Sequence, residues 1–257
     1  MDDHQGVKDV LIRVAKEQGF SVLLAVESGS RAWGFASKNS DYDLRFIYYR
    51  PVEWYLSLER KKDHCDMFLP GKVDLVGWDI QKALRLMAKS NPGLMDWIFS
   101  PCVYYSQRDV HEKLKVLAGQ CFCPKTGIHH YLHIGEKIYR GLDPLKEGGL
   151  KKSLYLVRSI ANCIYIENHR KPPPTNLIQT VRESLEDELV TEMIYDLIRI
   201  KKEGRENESV SIPPELLAFL HSGLEYFSRT VRTMPKRGRA PWDELNHFFT
   251  ELVGVSD

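Results

Sequence analysis

The amino-acid sequence predicts an α+β protein, with a small sheet-bearing core over residues 1–106 and an α-helical second domain over residues 107–257. Strand and helix signals alternate through the first hundred residues, and strand signals fade from about residue 107. The six apolar-periodic segments beyond that point are all helical in spacing.

The elements follow in order. Residues 6–18 place Val7, Val10, Leu11 and Val14 at helical spacing, and Gly19 supplies the stop. The run Val22-Leu23-Leu24-Ala25-Val26 is too short for a buried helix and reads as a central strand ending at Ser28-Gly29-Ser30. After the loop from Trp33 to Ser40, Asp41 to Tyr49 is rich in β-formers and reads as a second strand that opens with two acids. A third strand is expected at Lys72 to Val76. A helix should then run from about Asp79, whose carboxylate is suited to N-capping, to Ser90, and a second from Pro92 to Phe99. Residues 107–119, 127–141, 149–168, 182–203, 213–233 and 242–253 are the expected later helices, broken at Pro124, Gly148-Gly149, Pro172-Pro173-Pro174, Gly204 and Pro241.

Composition excludes several classes. At 257 residues with 43% hydrophobic and 28% charged side chains, the chain is an ordinary globular sequence rather than a fibrous or disordered one. Thirty-six Lys and Arg against 35 Asp and Glu leave a net charge of +1, which rules out a general cationic coat for nucleic acid but leaves room for a local basic patch. No stretch approaches 18 uninterrupted apolar residues, and Met1-Asp2-Asp3-His4 is acidic where a signal peptide is basic, so no membrane association and a cytoplasmic protein are expected. Five scattered cysteines argue against a disulfide framework. Cys121-Phe122-Cys123 with His129, His130 and His133 raises a zinc alternative, but Cys-x-Cys is one residue short of the usual spacing.

Chemistry concentrates between Gly29 and Leu44. Glycine and serine at the end of a buried strand let backbone N–H groups approach a phosphate, although the same pair also serves turn geometry alone. Asp41 and Asp43, two apart on a strand, would share a face; they are either two surface acids at a solvated strand start or, held together, call for a cation such as Mg²⁺ or Mn²⁺. Asp74, in Val73-Asp74-Leu75-Val76, is either an edge-strand acid facing water or an acid among apolar residues, where isolated charge is costly. If its strand lies beside that of Asp41 and Asp43, three carboxylates converge on one metal centre.

Glu27-Ser28-Gly29-Ser30-Arg31-Ala32-Trp33-Gly34, Ser40-Asp41-Tyr42-Asp43-Leu44-Arg45 and Asp74-Leu75-Val76-Gly77-Trp78-Asp79 resemble the polymerase-beta nucleotidyltransferase superfamily, and within it the nucleotidyltransferases associated with phage RNA ligases, the RlaP or YcgL type. Lys82, Lys89-Ser90-Asn91-Pro92 and Lys151-Lys152-Ser153-Leu154-Tyr155 extend the likeness over most of residues 21–175. Ser153 departs from it, standing where an aromatic of a Lys-Lys-Tyr pattern is expected. The resemblance implies a small mixed β-sheet nucleotidyltransferase core with an α-helical companion, using a nucleoside triphosphate and Mg²⁺ or Mn²⁺.

On that reading Asp41, Asp43 and Asp74 are the metal ligands and catalytic residues, acting in an in-line displacement at the α-phosphorus that releases pyrophosphate. Gly29 and Ser30 hold the β- and γ-phosphates, and Asp74 accepts the proton of the acceptor hydroxyl. Arg31 either contacts phosphate or is a surface arginine beside a negative cluster. Arg45 shares the face of Asp41 and Asp43, so it either touches the triphosphate or neutralises the acids. Lys151, Tyr155, Arg158 and Asn162 recur on one side of a helix, an amphipathic surface or a nucleotide-facing one, and Lys152 goes with them. Arg229, Arg232, Lys236, Arg237 and Arg239 form a run without an acid, either a solvated loop or a binding site for RNA phosphates. The acceptor is an RNA end, a protein or a small molecule. The alternative to an enzyme is a catalytically silent nucleotide- or RNA-binding module.

Overall fold

The computed structural model describes residues 3–69, 71–142, 149–204, 212–235 and 238–254. In chain order its elements are α1 (Asp3–Gln18), β1 (Ser21–Glu27), α2 (Ser30–Trp33), β2 (Tyr42–Tyr49), α3 (Val52–Tyr55), β3 (His64–Leu69), β4 (Val73–Asp79), α4 (Ile80–Ala88), α5 (Pro92–Ile98) and β5 (Val103–Ser106). Helices follow: α6 (Arg108–Cys121), α7 (Pro124–Arg140), α8 (Gly149–His169), α9 (Leu177–Ser184), α10 (Glu188–Lys202), α11 (Pro214–Thr233) and α12 (Trp242–Leu252). The α+β class and the mixed sheet are as expected. None of the helices is long and apolar enough among the described residues to cross a membrane.

The chain forms two compact units that interleave in sequence. One comprises Met1–Gly29, Asp41–Cys121 and Arg239–Asp257, and the other Ser30–Ser40 and Phe122–Gly238. Local periodicity suggests a cut after residue 106, whereas the units follow packing: α6 and α12 group with the sheet, and the loop 30–40 groups with the helices.

In the sheet unit the strand order is β3-β4-β2-β1-β5. Only β2 and β4 run parallel; the other neighbours are antiparallel. Val7, Leu11 and Val14 of α1 pack with Phe20, Ala25, Leu44, Phe46, Tyr48 and Leu75 on one face, so the predicted amphipathic spacing of α1 is spent on the sheet. Gly77 is the register partner of Phe46, and a Cβ there would fall inside the Phe46 ring. Glycine at that point lets the ring lie flat across β4. On the opposite face Trp78 stacks on Trp97 of α5, with ring centroids 3.8 Å apart. Asp79 ends β4 and caps α4, its Oδ1 accepting the Gln81 N–H at 2.8 Å.

In the helical unit α8 is the central element. Leu150, Leu154, Val157, Ile160, Ala161 and Ile166 are buried against residues of α7, α9, α10 and α11 such as Ile128, Leu177, Ile194 and Leu220. Phe35, from the loop 30–40, is fully buried in that same core. The expected helix 182–203 is two helices, α9 and α10, because Leu185 turns to an extended conformation and Asp187 caps a new start.

Candidate active site

Residues two apart on a strand share a face, and directly paired residues on adjacent strands share it too. In the parallel β2–β4 pair Asp43 is the register partner of Asp74, so both carboxylates stand side by side on one face. Asp41 precedes β2 and is exposed; pairing begins at Tyr42, whose N–H donates to the Lys72 carbonyl at 2.9 Å. The pleat that fixes Asp43 beside Asp74 therefore does not fix Asp41.

Arg45 lies between the two acids. Its Nη2 donates to Asp43 Oδ1 at 3.1 Å and to Asp74 Oδ2 at 2.8 Å, while Nη1 donates to the Asp74 carbonyl at 2.9 Å. Two adjacent carboxylates repel, and this guanidinium offsets that cost. All three side chains remain in touch with solvent, Asp74 most at 39%, so the apolar sequence around Asp74 does not bury it.

The backbone beneath Asp43 is held by a set of hydrogen bonds. Ser28 N–H donates to the Asp43 carbonyl at 3.0 Å, and Glu27, wholly buried at the end of β1, accepts the Asp43 N–H through Oε1 at 2.8 Å. Tyr104 hydroxyl donates to Glu27 Oε2 at 2.6 Å, and Ser100 hydroxyl donates to the Glu27 carbonyl, also at 2.6 Å. Glu27 thus holds the backbone that carries Asp43. Its signal in the sequence is an acid ending an otherwise apolar strand, which spacing alone does not connect to residue 43. Gly29 completes this side: a Cβ there would overlap the carboxylate of Asp43.

In the helical unit, Ser30 opens the short helix α2, and its carbonyl accepts the Phe35 N–H at 3.0 Å. Arg31 Nη2 donates to the Ser40 carbonyl at 2.9 Å, tying the two ends of the loop together. Lys151 and Lys152 are exposed on α8, and Lys151 Nζ stands 5.8 Å from the centroid of the Tyr155 ring. The polar side expected on α8 meets solvent only at its N-terminal end. Arg158 is only 8% exposed, with Cζ 4.4 Å over Trp33 and 5.8 Å from Tyr131. Asn162 is fully buried, its amide without a hydrogen-bond partner among the described residues. Lys201 of α10 is also buried, and burial, followed by the charge of Lys151, lowers its pKa. Ser153 is buried and donates to the Gly149 carbonyl at 2.7 Å, so no room exists there for an aromatic.

The basic run divides. Arg229 and Arg232 are exposed on α11, Arg229 pairing with Glu225 at 3.6 Å, while Arg239 belongs to the sheet unit. Lys236 and Arg237 lie outside the described residues. Cys121 and Cys123 are buried.

Among the described residues no group of three or more His, Cys, Asp or Glu is placed to hold a metal ion. The donor chemistry nevertheless suits a hard divalent cation: two carboxylates share one face beside a glycine whose missing Cβ leaves Asp43 its room, with Asp41 two residues away in sequence.

The profile described as "RlaP: RNA repair pathway DNA polymerase beta family" matches residues 4–251. The uncharacterized protein YcgL of Bacillus subtilis (strain 168) is 33% identical over 250 residues, covering 97% of this chain and 96% of that one. The uncharacterized protein MJ0002 of Methanocaldococcus jannaschii is 26% identical over 140 residues, 53% of this chain and 56% of that one. A crystal structure of a nucleotidyltransferase-like protein from Exiguobacterium sibiricum 255-15 aligns over 99% of this chain and 80% of its own, at 12% identity and a TM-score of 0.31.

Proposed function

The chain belongs to the RNA repair pathway DNA polymerase beta family, and on that premise we propose that it moves a nucleoside monophosphate from a nucleoside triphosphate to an acceptor hydroxyl, releasing pyrophosphate. The observation that carries the reading is the register of the parallel strands, which sets Asp43 and Asp74 side by side, partly exposed, on one face of the sheet.

In this proposal Asp43 and Asp74, with Asp41, hold Mg²⁺ or Mn²⁺. A divalent cation held by these carboxylates would supply charge neutralisation to the phosphoryl oxygens. The chain's own residues do the rest. Asp74, on the far side of Asp43 from Gly29, accepts the proton of the attacking hydroxyl. Glu27 and Ser28 keep the Asp43 backbone in place through their hydrogen bonds. The Gly29 amide and Ser30 bind the β- and γ-phosphates of the leaving group. Arg45 compensates the acids and offers its guanidinium to phosphate. Arg31, Lys151, Lys152, Tyr155 and Arg158 remain proposed nucleotide contacts; Lys151 and Lys152 are the exposed cations of that set. An RNA acceptor is proposed through the cations Arg229, Arg232, Lys236, Arg237 and Arg239.

A second reading, a catalytically silent nucleotide- or RNA-binding module, draws on Arg45, whose ion pairs already satisfy both acids. The two readings separate on pyrophosphate. The enzyme incubated with each labelled nucleoside triphosphate, Mg²⁺ and RNA ends or other acceptors is expected to release it, and Asp43→Ala or Asp74→Ala is expected to lower the rate by about a hundredfold or more. Nucleotide binding without pyrophosphate release in the intact protein supports the silent module, and undiminished transfer in both variants removes the assignment of the acids.

A further inference from the structure

The row that carries Asp43 and Asp74 continues across β4 onto the edge strand. In the antiparallel β3–β4 pair the register partner of Asp74 is Phe68. Partners directly opposite share a face, with Cβ atoms about 4.5–5.5 Å apart. Cys65, Met67 and Leu69, the alternate residues of β3, turn the other way into the core beneath α1. Phe68 therefore stands on the same face as the two acids, 72% exposed, at the end of a row that reads Phe68, Asp74, Asp43 and then Gly29.

An exposed phenylalanine by itself is unremarkable. Its place in the row gives it meaning. An in-line displacement has the attacking and leaving oxygens on opposite sides of the reacting phosphorus. With the leaving phosphates at the Gly29 end, the acceptor approaches from the Asp74 end, and the residue standing there is Phe68.

We infer that Phe68 is a positioning residue on which a planar ring of the acceptor stacks, which makes the acceptor a nucleoside at the end of a polynucleotide. This deepens the proposed transferase reading and rests on it. A terminal nucleoside carries its base within one sugar ring of its hydroxyl, so a base on Phe68 leaves the hydroxyl one strand away, beside Asp74, at about the 4.8 Å inter-strand spacing. An aliphatic hydroxyl, as in a serine side chain, brings no ring to that surface, and a tyrosine stacked on Phe68 keeps its hydroxyl on the stacked ring itself, short of the inter-strand step to Asp74. Edge strands that stay monomeric usually carry charge; β3 does so at Asp66, 59% exposed, and beside it shows an apolar ring to solvent at Phe68.

The test compares wild type, Phe68→Ala and Phe68→Trp in nucleotide transfer to an RNA oligonucleotide and to the same oligonucleotide with an abasic terminal residue. Nucleoside triphosphate affinity is measured separately without acceptor. Base stacking of this kind is expected to give Phe68→Ala an acceptor KM raised about tenfold or more, with kcat and triphosphate affinity kept. Phe68→Trp is expected to restore the KM. The abasic acceptor should cost wild type the same factor and cost Phe68→Ala little further. An unchanged KM in Phe68→Ala, an abasic end accepted as well as an intact one, or efficient transfer only to a serine- or tyrosine-bearing peptide overturns the inference while leaving the transferase reading intact. Absence of pyrophosphate release by the wild-type chain with every acceptor overturns both.

Discussion

Asp79 shows how one carboxyl serves architecture rather than chemistry. It is fully buried, accepts from the Gln81 N–H through Oδ1, and receives the Tyr55 hydroxyl on Oδ2 at 2.9 Å. Burial pushes its pKa up to about 6, the two hydrogen bonds and Arg50 holding it back only in part. A carboxyl raised in the folded state favours folding most when protonated, below its unfolded value of about 3.9. Its contribution is lost as the pH rises through about 6 and stays lost above it. Asp79→Asn keeps a cap-competent side chain without the titration, so denaturant unfolding of this variant should lack the decline in stability between about pH 4 and 6 expected of wild type, on the order of 2–3 kcal/mol. A slope equal to that of wild type would place the titration elsewhere. Asp79 was legible as a cap because an acid preceding an apolar helical run has one local use. Asp43 and Asp74 stand out in the sequence as acids within strand signals, but their pairing is set by register between strands. The relation of Glu27 and Phe68 to them also comes from the fold, and neither residue carries a local signal of it.

Elements were read best where periodicity is long. Helices α6, α7, α8, α11 and α12 lie within a few residues of their expected positions, whereas β3 and β5 carry no such signal. Strand β3, His64-Cys65-Asp66-Met67-Phe68-Leu69, puts its most exposed apolar side chain where an alternating pattern would put a polar one. Strand β5 spans four residues and depends on pairing with β1. Helix α8 lies at its expected position, but its polar side, expected as an amphipathic surface or a nucleotide-facing one, is exposed at Lys151 and Lys152 and buried at Arg158 and Asn162. Arg158 instead lies over the Trp33 face, where a cation is favoured even out of water. The same burial explains why Ser153 replaces the expected aromatic. Ser153→Tyr should overpack the helix and lower stability by about 1–3 kcal/mol, read as a reduced melting temperature, while Lys152→Tyr at the adjacent exposed position should leave the melt nearly unchanged. Equal melting of Ser153→Tyr and wild type would mean that the site has room after all.

At the scale of the whole chain, local patterns place a division after residue 106, but packing assigns Ser30–Ser40 to the helices and α6 and α12 to the sheet. Periodicity reports which face of a segment is apolar and is silent on which distant segment covers it. The loop 30–40 shows the consequence. Phe35 is completely buried among Leu154, Leu177 and their neighbours in the helical core, and Gly34 takes a φ of +85°, open to glycine, with the Asn176 amide packed where a Cβ would stand. A fragment of residues 107–257 would lack Phe35 and Trp33 and would strip α6 of strand β1 and helices α4 and α5, and α12 of helix α4, on which they pack. Removing a buried phenylalanine ring costs about 3–5 kcal/mol, a large share of a typical domain's stability. The fragment 107–257 should therefore show helical circular dichroism without a cooperative thermal transition, and Phe35→Ala in the full chain should destabilise the helical unit by that same amount. A fragment that melts cooperatively at the temperature of the intact chain would mean that the helices hold their core without the loop, and that the division after residue 106 is the physical one.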